Sequence, residues 1–92
     1  MKTAIIIPTY NRPEYLKRCF DSLLNTYLPK NLFIYVLDDA STDKETIKLI
    51  KSFKPDCTIK KEFKKENKGL YDSFIKMYDY CFSNGYEYVI NI

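Results

Sequence analysis

The sequence contains no histidine and no tryptophan, only two glycines, and three widely separated cysteines. Without histidine there is no Ser/His or Cys/His couple, so any general base would have to be a carboxylate. Cys19, Cys57 and Cys81 are odd in number and form no C-x-x-C pair, which indicates neither a disulfide framework nor a zinc site. Cys19 and Cys81 fall on apolar helical faces and are expected in the core, as suits a reducing compartment. There is no G-x-G-x-x-G and no G-x-x-x-x-G-K-[ST], so neither a dinucleotide fingerprint nor a P-loop is encoded. No apolar run reaches the roughly 18 residues of a membrane span, and Met1 to Ile7 is too short for a signal-peptide core, so the expected location is cytoplasmic.

What is present suits one small globular domain over residues 1–92, with 46% hydrophobic and 29% charged residues. The formal net charge is +3, and much of the excess lies in KKEFKKENK, Lys60 to Lys68. Because Glu62 and Glu66 interrupt the run, it is expected to be a solvated edge strand, and no nucleic-acid partner is expected.

Four apolar or alternating stretches predict strands: Thr3 to Ile7, ended by Pro8; Leu32 to Leu37; Cys57 to Phe63, an edge; and Tyr86 to Ile92. Between them lie three helical patterns. The first places Leu16, Cys19, Phe20, Leu23 and Leu24 on one face and can start at Asn11 as N-cap, with Pro13 in the first turn and Glu14 as capping-box partner. The second opens on a Thr42/Glu45 box and buries Ile47, Ile50 and Phe53. The third carries Leu70, Tyr71, Phe74, Ile75, Tyr78, Cys81 and Phe82 on one side and ends at Asn84-Gly85. The order β-α-β-α-β-α-β predicts an α/β fold, a Rossmann-like open parallel sheet.

Ligands of such sheets bind outside the carboxyl ends of the strands. Three stretches lie there. Pro8, Thr9, Tyr10, Asn11 and Arg12 combine a rigid turn, a hydroxyl, an aromatic plate that can stack on a base, and a helix start whose N–H groups suit phosphate; the plain alternative makes Asn11 only a cap and Tyr10 a lid over the core. Asp38 and Asp39 are adjacent carboxylates, costly unless used. Strand alternation sends them opposite ways, so that one anchors the loop while the other faces the crevice and accepts an imide N–H or ribose hydroxyls; the alternative is an Asx turn feeding a cap at Ser41 or Thr42. Glu66 to Gly69 is the weakest signal, a strand-to-helix turn in which Asn67 and Gly69 tolerate left-handed angles and Lys68 can meet a diphosphate.

Together, IIIPTYNRPEYLKRCFDSLL, YVLDDASTDKETIKLI and ENKG, in this order and spacing, resemble the amino-terminal half of family-2 glycosyltransferases, inverting nucleotide-sugar enzymes of the GT-A fold. The resemblance implies that Pro8, Thr9 and Tyr10 line a base pocket with Tyr10 packed on the base. It further implies that Asp39 accepts a hydrogen bond from the base, usually uracil, that Asp38 and Ser41 hold the loop, and that Asn67, Lys68 and Gly69 approach the nucleotide or its phosphates. Asn11 and Arg12 belong to the same nucleotide-binding set. The expected donor is a UDP-sugar, and the acceptor is unknown.

Two departures from the family pattern matter. Where the family often continues NxGxxxARN, this chain has Ser73, Phe74 and Ile75 at Ala-Arg-Asn, leaving Lys68 or Lys76 to contact phosphate. The family's Asp-x-Asp motif, which holds Mg²⁺ or Mn²⁺ in the full-length enzyme, is expected just beyond Ile92. The resemblance therefore implies an incomplete domain with no catalytic or metal-binding residue of its own, inactive alone. The alternative expectation is a non-catalytic binding or assembly module that keeps the fold, forming a homodimer through an exposed sheet edge or apolar surface such as Tyr86 and Tyr88.

Overall fold

A computed structural model describes residues 2–29 and 31–92. The elements run β1 (Thr3–Thr9), α1 (Pro13–Leu24), β2 (Leu32–Asp38), α2 (Lys44–Ser52), β3 (Thr58–Phe63), α3 (Leu70–Ser83) and β4 (Tyr88–Asn91). All strand pairs are parallel, in the order β3-β2-β1-β4. This is the predicted α/β architecture, with β3 at one edge as expected. Among the described residues no helix is long and apolar enough to cross a membrane.

The residue pattern of β2 explains the layering. Leu32, Ile34 and Val36 point to one face and pack with Ile5 and Ile7 of β1, Leu16, Phe20 and Leu23 of α1, and Ile50 of α2. Phe33, Tyr35 and Leu37 point to the other and pack with Ala4, Ile6, and Met77 and Cys81 of α3. A strand covered on both faces must be apolar throughout, and every residue of β2 is buried. The first two crossovers step the same way across the sheet and share a face; the third steps back past β1, and keeping the same hand puts α3 on the opposite face.

Strand β1 extends to Thr9, two residues beyond its predicted end at Ile7, and runs through Pro8. The Ile6 carbonyl accepts from Ile92 N–H on the β4 side, whereas the Thr9 carbonyl accepts from Asp39 N–H on the β2 side. Pro8 shares the orientation of Ile6, and the β4 pairing ends at Ile6, so its missing donor falls where no strand needs one.

Both predicted helix starts are displaced. Arg12, not Asn11, stands at the N-cap position of α1 and makes no side-chain cap bond, so the Glu14 box is not formed; Asn11 has φ 46° and is used elsewhere. Helix α2 is capped by Asp43, not Thr42, because the Asp43 carboxylate accepts from both the N–H and the hydroxyl of Thr46 at 2.7 Å. Thr46 is fully buried where Ile47 was expected, Leu24 of α1 is 51% exposed, and Cys19 is only half-buried.

The largest correction concerns α3. The sheet receives Ser73, Met77 and Cys81, with Phe74, Tyr78 and Tyr80 beside them, while Leu70, Tyr71, Ile75 and Phe82 are exposed. This helix is apolar nearly all round, so periodicity does not select a face. A serine can lie inward because its hydroxyl is directed back to the Gly69 carbonyl.

Position in the sheet, rather than residue type, should decide the cost of truncation. Ile34→Ala, in a fully buried site, should lose about 2–5 kcal/mol in urea unfolding. Ile90→Ala, on the β4 edge and 50% exposed, should lose less than about 1 kcal/mol. Equal losses would contradict the burial argument.

Candidate functional site

The carboxyl ends of β1 and β2 are joined through their loops. Asn11 N–H donates to Ser41 Oγ at 2.9 Å, and Asn11 Oδ1 accepts from the N–H groups of Thr42 and Asp43 at 3.0 and 2.9 Å. Asn11 therefore tethers the β1–α1 loop to the start of α2, a use its left-handed backbone permits. Asp38 accepts from Ser41 N–H at 2.7 Å and from Ser41 Oγ at 2.5 Å. Both of these bonds and that of Asp39 N–H to Thr9 flank Ala40, which is held at φ 61°.

Asp39 turns the other way, as alternation requires, and is 1% exposed. Its Oδ1 accepts from Lys68 N–H at 2.9 Å and lies 3.0 Å from Lys64 Nζ; its Oδ2 accepts from Gly69 N–H at 2.7 Å. Gly69, at φ 92° and ψ 161°, occupies a backbone region that is essentially glycine's alone, and this directs its N–H at the carboxylate. Burial acts to raise the Asp39 pKa, but the Lys68 N–H, Lys64 and Gly69 N–H outweigh it and hold the carboxyl below its ordinary value of 3.8. Burial likewise acts to lower the Lys64 pKa, and its bonds to Asp72 and Asp39 outweigh it in the opposite sense.

Above these ends lies a crevice of about 250 Å³ lined by Pro8, Thr9, Tyr10, Arg12, Tyr15, Asp39, Asn67, Gly69 and Leu70. Asn11, Asp38 and Ser41 are not among its lining residues; they hold the loops. Lys68 contributes its backbone to Asp39, and the residue lines a wider cleft on the β3 side that also holds the ion pairs Lys64–Asp72 and Lys76–Glu62. Lys76 is thus committed away from the crevice. Thr9 Oγ1 is buried without a hydrogen-bond partner. Sequence reasoning missed Lys64, concealed in a lysine run, and Tyr15, whose ring lies under the Arg12 guanidinium 5.9 Å away.

Residues 4–92 match the model of glycosyl transferase family 2. The chain belongs to this family. It is 33% identical over 70 residues to the poly(ribitol-phosphate) beta-N-acetylglucosaminyltransferase TarS of Staphylococcus aureus, covering 75% of this chain and 12% of TarS. It is 34% identical over 83 residues to a dolichyl N-acetyl-alpha-D-glucosaminyl phosphate 3-beta-D-2,3-diacetamido-2,3-dideoxy-beta-D-glucuronosyltransferase of Methanococcus voltae, covering 89% of this chain and 24% of that one. The chain thus spans a quarter or less of these two relatives.

A crystal structure of TarS superposes with TM-score 0.74 at 26% identity over 100% of this chain and 16% of its own. TarS residues 1–349 in complex with UDP-GlcNAc superpose with TM-score 0.60 at 30% identity, covering 73% and 19%. A Pyrobaculum calidifontis mannosyltransferase solved with GDP-Man and Mn²⁺ has TM-score 0.68 at 22% identity, covering 86% and 24%, and shares the fold alone. The family-2 sheet is that of GT-A glycosyltransferases.

Among the described residues no cluster of three or more Asp, Glu, Cys or His side chains can hold a metal ion. Asp38 and Asp39 are already engaged by Ser41 and by Lys64, Lys68 and Gly69. The divalent ion implied by the family resemblance therefore finds no ligand set among them.

The acid limb of stability tests the Asp39 network. A carboxyl held below 3.8 contributes stability that is complete above that value and lost as pH falls through the folded-state pKa. Asp39→Asn should cost about 2 kcal/mol at pH 7, less than the 3–5 kcal/mol of a wholly orphaned charge, because Lys64 keeps Asp72. It should also make unfolding free energy fall less steeply below about pH 4. The slope should not vanish, since hydrogen bonds also hold Asp43 low and Lys76 and Tyr35 hold Glu62 low against its burial. An unchanged slope would remove Asp39 from the acid transition.

Proposed function

We propose that the crevice binds the nucleoside end of a nucleotide-diphosphate sugar, and that the chain is the donor-binding part of a glycosyltransferase that moves that sugar to an acceptor hydroxyl. The single observation that carries this reading is the meeting, in one crevice, of an aromatic plate, a buried anionic acceptor and an unpartnered buried hydroxyl: Tyr10, Asp39 and Thr9. A flat ring stacked on Tyr10 would present its in-plane N–H to Asp39, which can only accept while ionised. Uracil has such an imide N–H, and the TarS neighbour solved with UDP-GlcNAc supports a uridine donor. Asn67 and Gly69, which line the crevice just before α3, are the residues assigned in this reading to the nucleotide's sugar or phosphates, because free N–H groups at a helix start suit such oxygens. Asn11, Asp38 and Ser41 act indirectly by fixing the loops.

The chemistry of the family requires a carboxylate to deprotonate the acceptor and a cation to neutralise the leaving diphosphate. Neither role is assigned to a described residue, so these 92 residues are expected to bind without transferring. The second reading is an assembly module that pairs with a copy of itself. It is favoured by apolar side chains on the β4 edge, where Tyr88 is 53% and Ile90 50% exposed.

UDP titration followed by backbone amide NMR separates the two readings. Shifts at Tyr10, Asp39 and Gly69 with a Kd on the order of 1 mM are expected. Thr9→Val should leave stability unchanged or slightly higher, because it removes an unpaired polar atom, and should weaken UDP binding about 5–10-fold. A folded protein that ignores 10 mM UDP, on the order of ten times that Kd, and sediments as a dimer would replace this function with the assembly reading.

A further inference from the structure

Lys64 follows β3 directly and donates its backbone N–H to the Asp38 carbonyl at 2.9 Å. Its side chain is 7% exposed and places Nζ 3.0 Å from Asp39 Oδ1 and 2.7 Å from Asp72 Oδ2. A lysine this buried is tolerated only when its charge is paired. The distribution of donors on Asp39 is uneven: Oδ1 serves both Lys68 N–H and Lys64, whereas Oδ2 takes Gly69 N–H. A carboxylate oxygen has room for about two donors, so Oδ2 keeps one acceptor lobe, on a residue that lines the crevice.

We propose that Lys64 is a positioning residue that keeps Asp39 an acceptor-only anion with its Oδ2 lobe available to the crevice, and so sets selectivity for bases bearing a ring N–H, uracil over cytosine. This rests on the nucleoside reading above. The backbone amides that also bind Asp39 are neutral and orient the carboxylate; Lys64 supplies the opposing charge. A protonated Asp39 would become a donor and would accept cytosine, whose ring nitrogen at that position is an acceptor.

The other charged or titratable groups around Asp39 do not replace Lys64. Asp38 is turned to the opposite face and spent on Ser41. Tyr10, Arg12 and Tyr15 line the crevice from β1 and α1, Lys68 offers Asp39 its backbone, and Asp72 on α3 holds Lys64 from behind. Among the described residues the ion pair to Asp39 comes from Lys64.

The test compares UDP with CDP, so that the shared diphosphate cancels, by calorimetry between pH 5 and 8. The wild type and Lys64→Arg should prefer UDP by at least about tenfold at every pH, the fold-change that one charged hydrogen bond confers. Lys64→Met and Lys64→Gln, the latter keeping an N–H donor without charge on a side chain one atom shorter, should lose that preference by about tenfold as pH falls, because Asp39 then titrates within the range. Carbon-detected titration of Asp39 in the wild type is the arm that needs no variant: ionisation persisting below pH 4 supports the proposal, and an Asp39 that titrates above pH 5 overturns it.

Folded Met and Gln variants that keep the wild-type ratio throughout, while Asp39→Asn loses it, would make Lys64 merely structural and leave the nucleoside reading intact. Wild-type protein that binds UDP and CDP alike, with Asp39→Asn indistinguishable from it, would remove the nucleoside reading and the Lys64 proposal together.

Discussion

The Asp39 carboxylate is the interaction on which the upper half of this molecule depends. A buried anion must be compensated, and its compensation is drawn from separate parts of the chain: the lysine after β3 and two amides at the approach to α3. The end of β2, the end of β3 and the start of α3 are thereby tied at one point. Parallel strands have no short turn to fix their carboxyl ends, so this tie does for the crevice what a hairpin does for an antiparallel sheet.

Its neighbour shows why two adjacent acids are tolerable. Asp38 and Asp39 leave the strand on opposite faces, and each finds donors of its own, Ser41 for one and Lys64 with Lys68 and Gly69 for the other. Asn11 completes the arrangement by spanning the β1–α1 and β2–α2 loops. Membership of glycosyl transferase family 2 and the superposition on TarS set this arrangement within a GT-A sheet. Within that setting α3 carries Ser73, Phe74 and Ile75 where the resemblance implies Ala-Arg-Asn, and Lys64 is buried between Asp39 and Asp72.

The strands were legible because period-two and wholly apolar runs leave little choice when both faces are covered. The helices were legible in existence but less in detail. For α1, Asn11 has the residue type of an N-cap yet spends its side chain on α2, thirty-one and thirty-two residues on, a bond no local pattern reveals. For α3, an apolar surface nearly all round hid the Ser73-Met77-Cys81 face. Lys64 carried no signal distinguishing it from Lys60, Lys61 and Lys65, because burial of a lysine depends on partners placed by the fold.

The amino-acid sequence by itself determined the element order, the central apolar strands, the opposed directions of Asp38 and Asp39, and the family, because these follow from local periodicity and from motif spacing. Tertiary structure alone decided which face α3 buries, which residue caps each helix, and which of several lysines meets Asp39. Each of those outcomes depends on competition among distant partners for the same hydrogen bonds and the same dry surface, and that competition is settled only when the sheet has brought them together.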